Sequence, residues 1–311
     1  MLNFLTRNIN KILLVARKVF ANKPLVALLI LAAADAALWF FVLSDAALRT
    51  PQFYFLNIGQ GDSELILLPR AGGGSVKLLI DGGPDAKVVE ELGKVLPVGD
   101  RTIDLVLMTH PQLDHFGGFI EVLKQYRVGA FLGNGRVGPI AAYRELMGII
   151  RERNIPYITL ARGSSITYGN MVIDVLSPNS KDLVSAELND GCLVLRVQTA
   201  DTRALFTCDA GANIESELVA SDDIQADILK VGHHGSRFSS SASFLAAVNP
   251  KVAVIEVGKN TYGHPTKDAL SRLFDSGTKV FRTDQNGTLR VAVTDGALRI
   301  FAEKSLPAIV K

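Results

Sequence analysis

From residue 53 onward, apolar and polar residues alternate in short runs separated by Gly, Pro, Asn and Asp. Alternation with a period of two predicts strands. It places them at 53–58, 64–68, 76–80 and 104–109, then at 157–160, 171–176, 193–199 and 204–208. Apolar residues spaced three and four apart predict helices near 117–126, 140–153 and 214–220. Further on, strands at 227–231 and 252–257 alternate with helices near 241–248 and 266–275. Strands near 279–282, 288–293 and 297–302 close the pattern. The early strands pair as hairpins, with a Gly-rich turn at 71–75, and the later ones alternate with helices. The result is an α/β chain, most economically two sheets with helices outside. One domain over 51–302 accounts for the pattern and leaves 303–311 as a tail.

The segment before this domain is different. Residues 25–43 form an apolar run with one charge, Asp35. As a helix the run is about 29 Å long, close to the ~30 Å hydrocarbon thickness of a bilayer. Arg7, Lys11, Arg17, Lys18 and Lys23 precede it, and Trp39, Phe40 and Phe41 lie near its far end. The run predicts a transmembrane anchor, with 1–24 in the cytoplasm and the domain outside. Within 1–20, Ile9, Ile12, Leu13 and Ala16 are spaced as in a basic amphipathic helix on the inner leaflet. A signal peptide cleaved near Ser44-Asp45-Ala46 and a buried core helix are the alternatives.

Composition narrows the class. Hydrophobic residues make up 48% and charged residues 21%, enough to build a core and to exclude disorder over most of the chain. Cys192 and Cys208 are the only cysteines, which excludes a disulfide scaffold and a Cys-rich zinc module. Both read as packing residues on the two arms of a hairpin. The net charge is +2, yet residues after 50 hold 27 basic against 29 acidic side chains. The body therefore lacks the global basic excess of an electrostatic nucleic-acid binder.

The chemistry lies in the histidines. All five, His110, His115, His233, His234 and His264, follow a predicted strand, in loops with Gly or Pro. The first loop reads His110-Pro111-Gln112-Leu113-Asp114-His115, and the third reads Gly232-His233-His234-Gly235-Ser236. Between them, Asp209 ends the strand at 204–208. Strand ends are where α/β ligand sites gather, and imidazole with carboxylate suits Zn²⁺, Mn²⁺ or Fe. For Asp209 the alternative is a cap on the following helix, a role for which Asn213 competes. Asp62 and Asp81, each beside Gly, read equally as turn residues or as braces of the site.

These motifs, with Asn57-Ile58-Gly59-Gln60-Gly61-Asp62-Ser63, Ile80-Asp81-Gly82-Gly83 and Asn260-Thr261-Tyr262-Gly263-His264-Pro265, stand in an order that resembles the metallo-β-lactamase superfamily. More narrowly, the order is similar to the hydrolase domain of the ComEC competence DNA-uptake family. The resemblance spans about 53–292 and implies an αββα sandwich with one or two divalent ions, Zn or Mn, at the shared sheet edge. It implies one site of Asp114, His115, Asp209 and His234, and a second of His110 and the bridging Asp209. Two departures stand out. Gln112 occupies the place of a loop His, and Asn189-Asp190-Gly191-Cys192 carries no His, so Gln112 and Asp190 are the substitute ligands to consider.

The activity implied is phosphodiester hydrolysis by a metal-activated water, on DNA outside the cytoplasm. Asp114 would hold the water, while His233 and His264 would bind phosphate or protonate the leaving group. Ser236, Asn260 and Tyr262 would donate hydrogen bonds to phosphate. The alternatives are an envelope hydrolase of choline or polyol phosphates, and a metal-depleted accessory protein of the same fold.

Overall fold

The computed structural model describes residues 23–46, 50–294 and 296–310. Two compact units divide the chain at Arg49/Thr50. In the first, Lys23–Ala46 is one helix, formed over the predicted apolar run, and Leu28, Leu29, Ile30, Leu31 and Leu38 are exposed. Among the described residues no helix is long and apolar enough to cross a membrane; side chains of this one are described over 23–39. The amphipathic helix expected within 1–20 lies outside the described residues.

The second unit begins with β1 (Gln52–Phe55), β2 (Glu64–Pro69), β3 (Ser75–Ile80), β4 (Thr102–Met108), β5 (Arg127–Gly133) and β6 (Tyr157–Thr159). Next come β7 (Ser165–Tyr168), β8 (Met171–Ser177), β9 (Val194–Gln198), β10 (Arg203–Phe206), β11 (Ile228–Lys230), β12 (Val252–Ile255) and β13 (Lys279–Arg282). The chain ends with β14 (Leu289–Thr294), β15 (Ala297–Ala302) and β16 (Ser305–Val310). Among the described residues these form a nine-stranded sheet, β16-β15-β14-β1-β2-β3-β4-β5-β6, and a seven-stranded sheet, β13-β12-β11-β10-β9-β8-β7.

The alternation read from the sequence explains how the sheets stack. Phe53 and Phe55 of β1, Ile66 and Leu68 of β2, and Ile173 and Val175 of β8 bury one face each in a common core. Phe55 and Phe206 stack across it with ring centroids 6.0 Å apart. Helices cover the outer faces. Phe119–Gln125 buries Phe119, Val122 and Leu123, and Phe119 meets Phe131 of β5 edge-on. On the other side, Ile214 and Leu218 of the helix Ala212–Ser221 pack with Leu205 and Leu229. The expected αββα sandwich is the fold.

Within the expected tail 303–311, residues 305–310 form a strand. Ser305–Val310 pairs antiparallel with β15 at the sheet edge, and Pro307 falls in the register break between the Ile300–Ala308 and Ala302–Ser305 pairs, an edge irregularity where Pro is tolerated. The strand near 279–282 also parts from the two after it, because it runs parallel to β12 in the second sheet. In both sheets the parallel strands β3–β5 and β10–β13 run the same way within their sheet. Their C-terminal ends therefore bring together loops that are far apart in sequence.

Candidate metal centre

The first ligand-bearing loop follows β4. His110 is buried, and the single turn Leu113–Phe116 folds Asp114 and His115 back beneath the sheet end. Asp81 follows β3 with left-handed backbone, φ 51°, which Asp tolerates better than most residues. Its carboxylate accepts from the Thr109 N–H at 2.8 Å, the Thr109 hydroxyl at 2.6 Å and His115 Nδ1–H at 2.7 Å. That bond fixes the imidazole and turns Nε2 toward Asp209 Oδ2, 3.4 Å away. Gly61 makes this packing possible: its φ is 136°, and a Cβ there would meet the Asp114 carbonyl oxygen at 2.3 Å.

The second sheet supplies the rest. Asp209 is buried two residues beyond the Thr207 N-terminal neighbour of Cys208, whose φ is 39°. His233 and His234 are both left-handed, at φ 50° and 52°, an uncommon pair that aims both rings back at the sheet end. His234 Nδ1 donates to the Glu256 carbonyl at 3.0 Å and lies 3.2 Å from Asp62 Oδ1. Its Nε2 sits 3.4 Å from Asp114 and 3.8 Å from Asp209. His233 Nε2 is 3.7 Å from Asp209.

Burial opposes charge on every group here, and the neighbours decide each outcome. Against burial, Asp209 and Asp62 push His234 up to about 10. Against burial, Asp209, Asp81 and Asp114 push His115 well above the imidazole range. His234 and His115 in turn hold Asp209 well below the carboxylate range. Burial and the His115 charge push His110 down to about 3. The carboxylates thus hold positive charge in their midst, which is the electrostatic pattern of a cation site.

The donor set fits a divalent cation. His110 Nε2, His115 Nε2, His234 Nε2 and Asp209 Oδ1 are all buried without a hydrogen-bond partner. Orphaned polar atoms of this kind cost free energy unless something coordinates them. His110, His115 and Asp209 present ligand atoms within 4.8 Å of one another, as do Asp114, His115 and His234, and Asp62, Asp209 and His234. Imidazole nitrogen and carboxylate oxygen suit zinc and manganese alike.

Other expected site residues have different tasks. Asp190 stands outside these groups, because its oxygens accept from the Ser185 hydroxyl at 2.6 Å and the Asn213 amide at 2.9 Å. Gln112 borders the cavity with its amide donating to Asn189 at 2.5 Å. Asn260 braces its own loop: Nδ2 donates to the Gly258 and His264 carbonyls, and Oδ1 accepts from two N–H groups. Ser236 is buried, and its hydroxyl oxygen accepts from the Phe238 N–H. Cys192 and Cys208 are joined in a disulfide, which corrects their reading as independent packing residues.

Beneath the ligands lies a buried network that the sequence reading missed. Lys230 Nζ pairs with Asp62, both fully buried. Burial and Asp62 push Glu64 up to about 8, and burial and Glu64 push Glu256 well above the carboxylate range. The available signal was Lys230 ending the otherwise apolar β11 and Glu256 directly following the wholly apolar β12.

The site opens into a cavity of about 540 Å³, lined in part by Asp114, Asp209, His233, His234, Tyr262 and His264. Tyr262 is 74% exposed at its mouth. Two stacked sheets with helices outside, and His and Asp ligands at the shared sheet edge, define a class of metal-dependent hydrolases. The chain belongs to the metallo-β-lactamase superfamily, which it matches over residues 65–258.

Among curated proteins it is 30% identical over 253 residues to ComE operon protein 3 of Bacillus subtilis, covering 76% of this chain and 32% of that protein. It is 29% identical over 247 residues to competence protein ComA of Neisseria gonorrhoeae, covering 78% and 32%. The chain thus spans about a third of the length of these ComEC-family relatives. Among solved structures, the metallo-beta-lactamase fold protein YhfI from Bacillus subtilis superposes with TM-score 0.54 at 13% identity, covering 78% of this chain and 99% of that one.

Proposed function

We propose that this chain is a membrane-anchored, metal-dependent phosphodiesterase whose substrate is DNA outside the cytoplasm. The observation that carries it is the set of unpartnered buried ligand atoms on His110, His115, His234 and Asp209, opening into a cavity lined by further histidines. The competence proteins named among its relatives support DNA as the substrate. The apolar sequence run 25–43, with five basic residues before it, is the basis for the anchor and the outward orientation.

A divalent ion bound at this donor set would supply Lewis acidity and bring the pKa of water toward neutrality. His115 and Asp81 orient one face of the site, and Asp209 joins the two sheets across it. Asp114, partly exposed, is kept ionised against burial by His115 and His234, so its carboxylate can take a proton from an attacking water. His264 is pushed down by burial and by His233, and as a neutral imidazole it offers one N–H to a phosphate oxygen. His233, at the cavity wall, protonates the leaving oxygen, and the Tyr262 hydroxyl contacts the phosphate at the mouth.

Hydrolysis of a generic phosphodiester and of labelled DNA by the full-length chain tests this reading. Turnover should require Mn²⁺ or Zn²⁺ and stop with chelator. A metal-loaded protein that cleaves neither substrate refutes it. For the anchor, a reporter fused after Lys311 should be active only outside the cytoplasm, and activity inside refutes the orientation. Release of choline or polyol phosphates without DNA cleavage would favour the envelope hydrolase instead.

A further inference from the structure

The Cys192–Cys208 disulfide occupies a specific place in the ligand framework. Strands β9 and β10 pair as a hairpin whose last register pair toward the site is Phe206 with Leu195. The cross-link sits beyond that pair, at the open end of the hairpin, with a Cα–Cα distance of 6.4 Å. In the folded state the hairpin already holds the two strands together, and any general stabilisation by the bond acts through the unfolded chain. What the bond adds to the folded site is local, at the residue directly before Asp209.

Three ligand loops meet at this point. The Cys208 carbonyl accepts the His233 N–H at 2.9 Å, which ties the His233-His234 turn to it. On the other side, Leu193 N–H donates to the Thr109 carbonyl at 3.1 Å, next to His110. Asn134 Nδ2 donates to the Gly191 carbonyl at 2.7 Å and to the same Thr109 carbonyl at 3.3 Å. Cys208 also holds a left-handed φ of 39°, a conformation that favours glycine and that a side chain keeps only where its surroundings impose it. Both cysteines are buried.

We propose that the Cys192–Cys208 disulfide is a positioning element of the metal centre, holding the Asp209 carboxylate in register with His110 and His234. The proposal rests on the reading of this site as a metal centre. Its positioning effect is on metal affinity, over and above the general stabilisation that any such cross-link gives.

The test uses the full-length chain as wild type, C192S/C208S and C192S/C208G, with Mn²⁺ as the probe. Glycine at 208 accepts the left-handed backbone without the cross-link. The measurements are the Mn²⁺ dissociation constant and the rise in melting temperature between metal-free and Mn²⁺-loaded protein. A positioning role predicts about 10- to 100-fold weaker Mn²⁺ binding in the folded variants, as for other groups that orient metal ligands. It also predicts a smaller Mn²⁺-dependent rise in melting temperature. A general staple would lower both melting temperatures together and leave their difference unchanged. Wild-type affinity and an unchanged rise in C192S/C208G overturn the proposal. So does failure of C192S/C208G to fold, which would make the bond a requirement of the whole domain. A wild type that binds no Mn²⁺ overturns the metal reading itself.

Discussion

His115 and Asp81 form the fixed point of the site: Nδ1–H of His115 donates to the Asp81 carboxylate at 2.7 Å, leaving Nε2 unpartnered and aimed at Asp209. The carboxylate does two things. It sets which ring nitrogen is free, and it raises the basicity of that nitrogen as a ligand. Two Thr109 bonds hold Asp81 in turn, so the orientation passes from β4 to the ligand through rigid strand ends.

Asp81→Asn keeps the shape and removes the charge. Metal affinity should fall about 10- to 100-fold, measured by competition with a chromophoric chelator, while circular dichroism stays unchanged. Unaltered affinity would return Asp81 to an ordinary turn residue.

Metal uptake should release protons. In the metal-free protein His234 is pushed up to about 10 and His115 well above the imidazole range, so both are charged at neutral pH. A ligand must give up its proton, so affinity should rise with pH. The sign for stability is opposite. A folded pKa of about 10 against an unfolded value near 6.5 gives stability that is complete below about pH 6.5 and lost as pH rises toward 10. The melting temperature of metal-free protein should therefore fall between pH 7 and 10. A flat profile would contradict the charge pattern of the cluster.

Occupancy should be uneven. Asp114, His115 and His234 present ligand atoms together, with Asp209 3.4 Å from His115 and 3.8 Å from His234, whereas His110 has only His115 and Asp209 beside it, the Gln112 amide being engaged by Asn189 and Asp190 by Ser185 and Asn213. Elemental analysis after mild dialysis should give nearer one tightly held ion per chain than two. Two equally chelator-resistant ions would contradict this.

Gly61→Ala should displace the loop that carries Asp62. The new Cβ would lie 2.3 Å from the Asp114 carbonyl oxygen, at a φ of 136°. A cost of about 1–3 kcal/mol is expected in denaturant unfolding, with weakened metal binding. Wild-type stability would show that the close approach is not needed.

Much of this site was legible because parallel strands converge at one end. A His or Asp just past an apolar run is carried to the sheet edge, so His110, His115, Asp209, His233, His234 and His264 gather as the pattern implied. Asp190 and Asn260 were harder, because their type fits a ligand or phosphate contact and only the local loop shows their bonds already used. The disulfide depends on a through-space distance that a spacing of 16 residues does not fix. Lys230 sits among apolar neighbours and gives no sign of its partner, Asp62, which lies 168 positions earlier. Ser305–Val310 was hidden by Pro307, which weakens a strand pattern except at an edge.

The most direct test is Asp209→Asn, with metal content and phosphodiester turnover measured on the same preparation. Asp209 joins both sheets at the centre of the ligand set, and its carboxylate is held ionised by His234 and His115. Removing the charge while keeping the shape should lower turnover by at least about 10²-fold and strip metal in parallel, with the fold intact. A variant that is fully loaded and fully active would contradict the metal-dependent hydrolase reading.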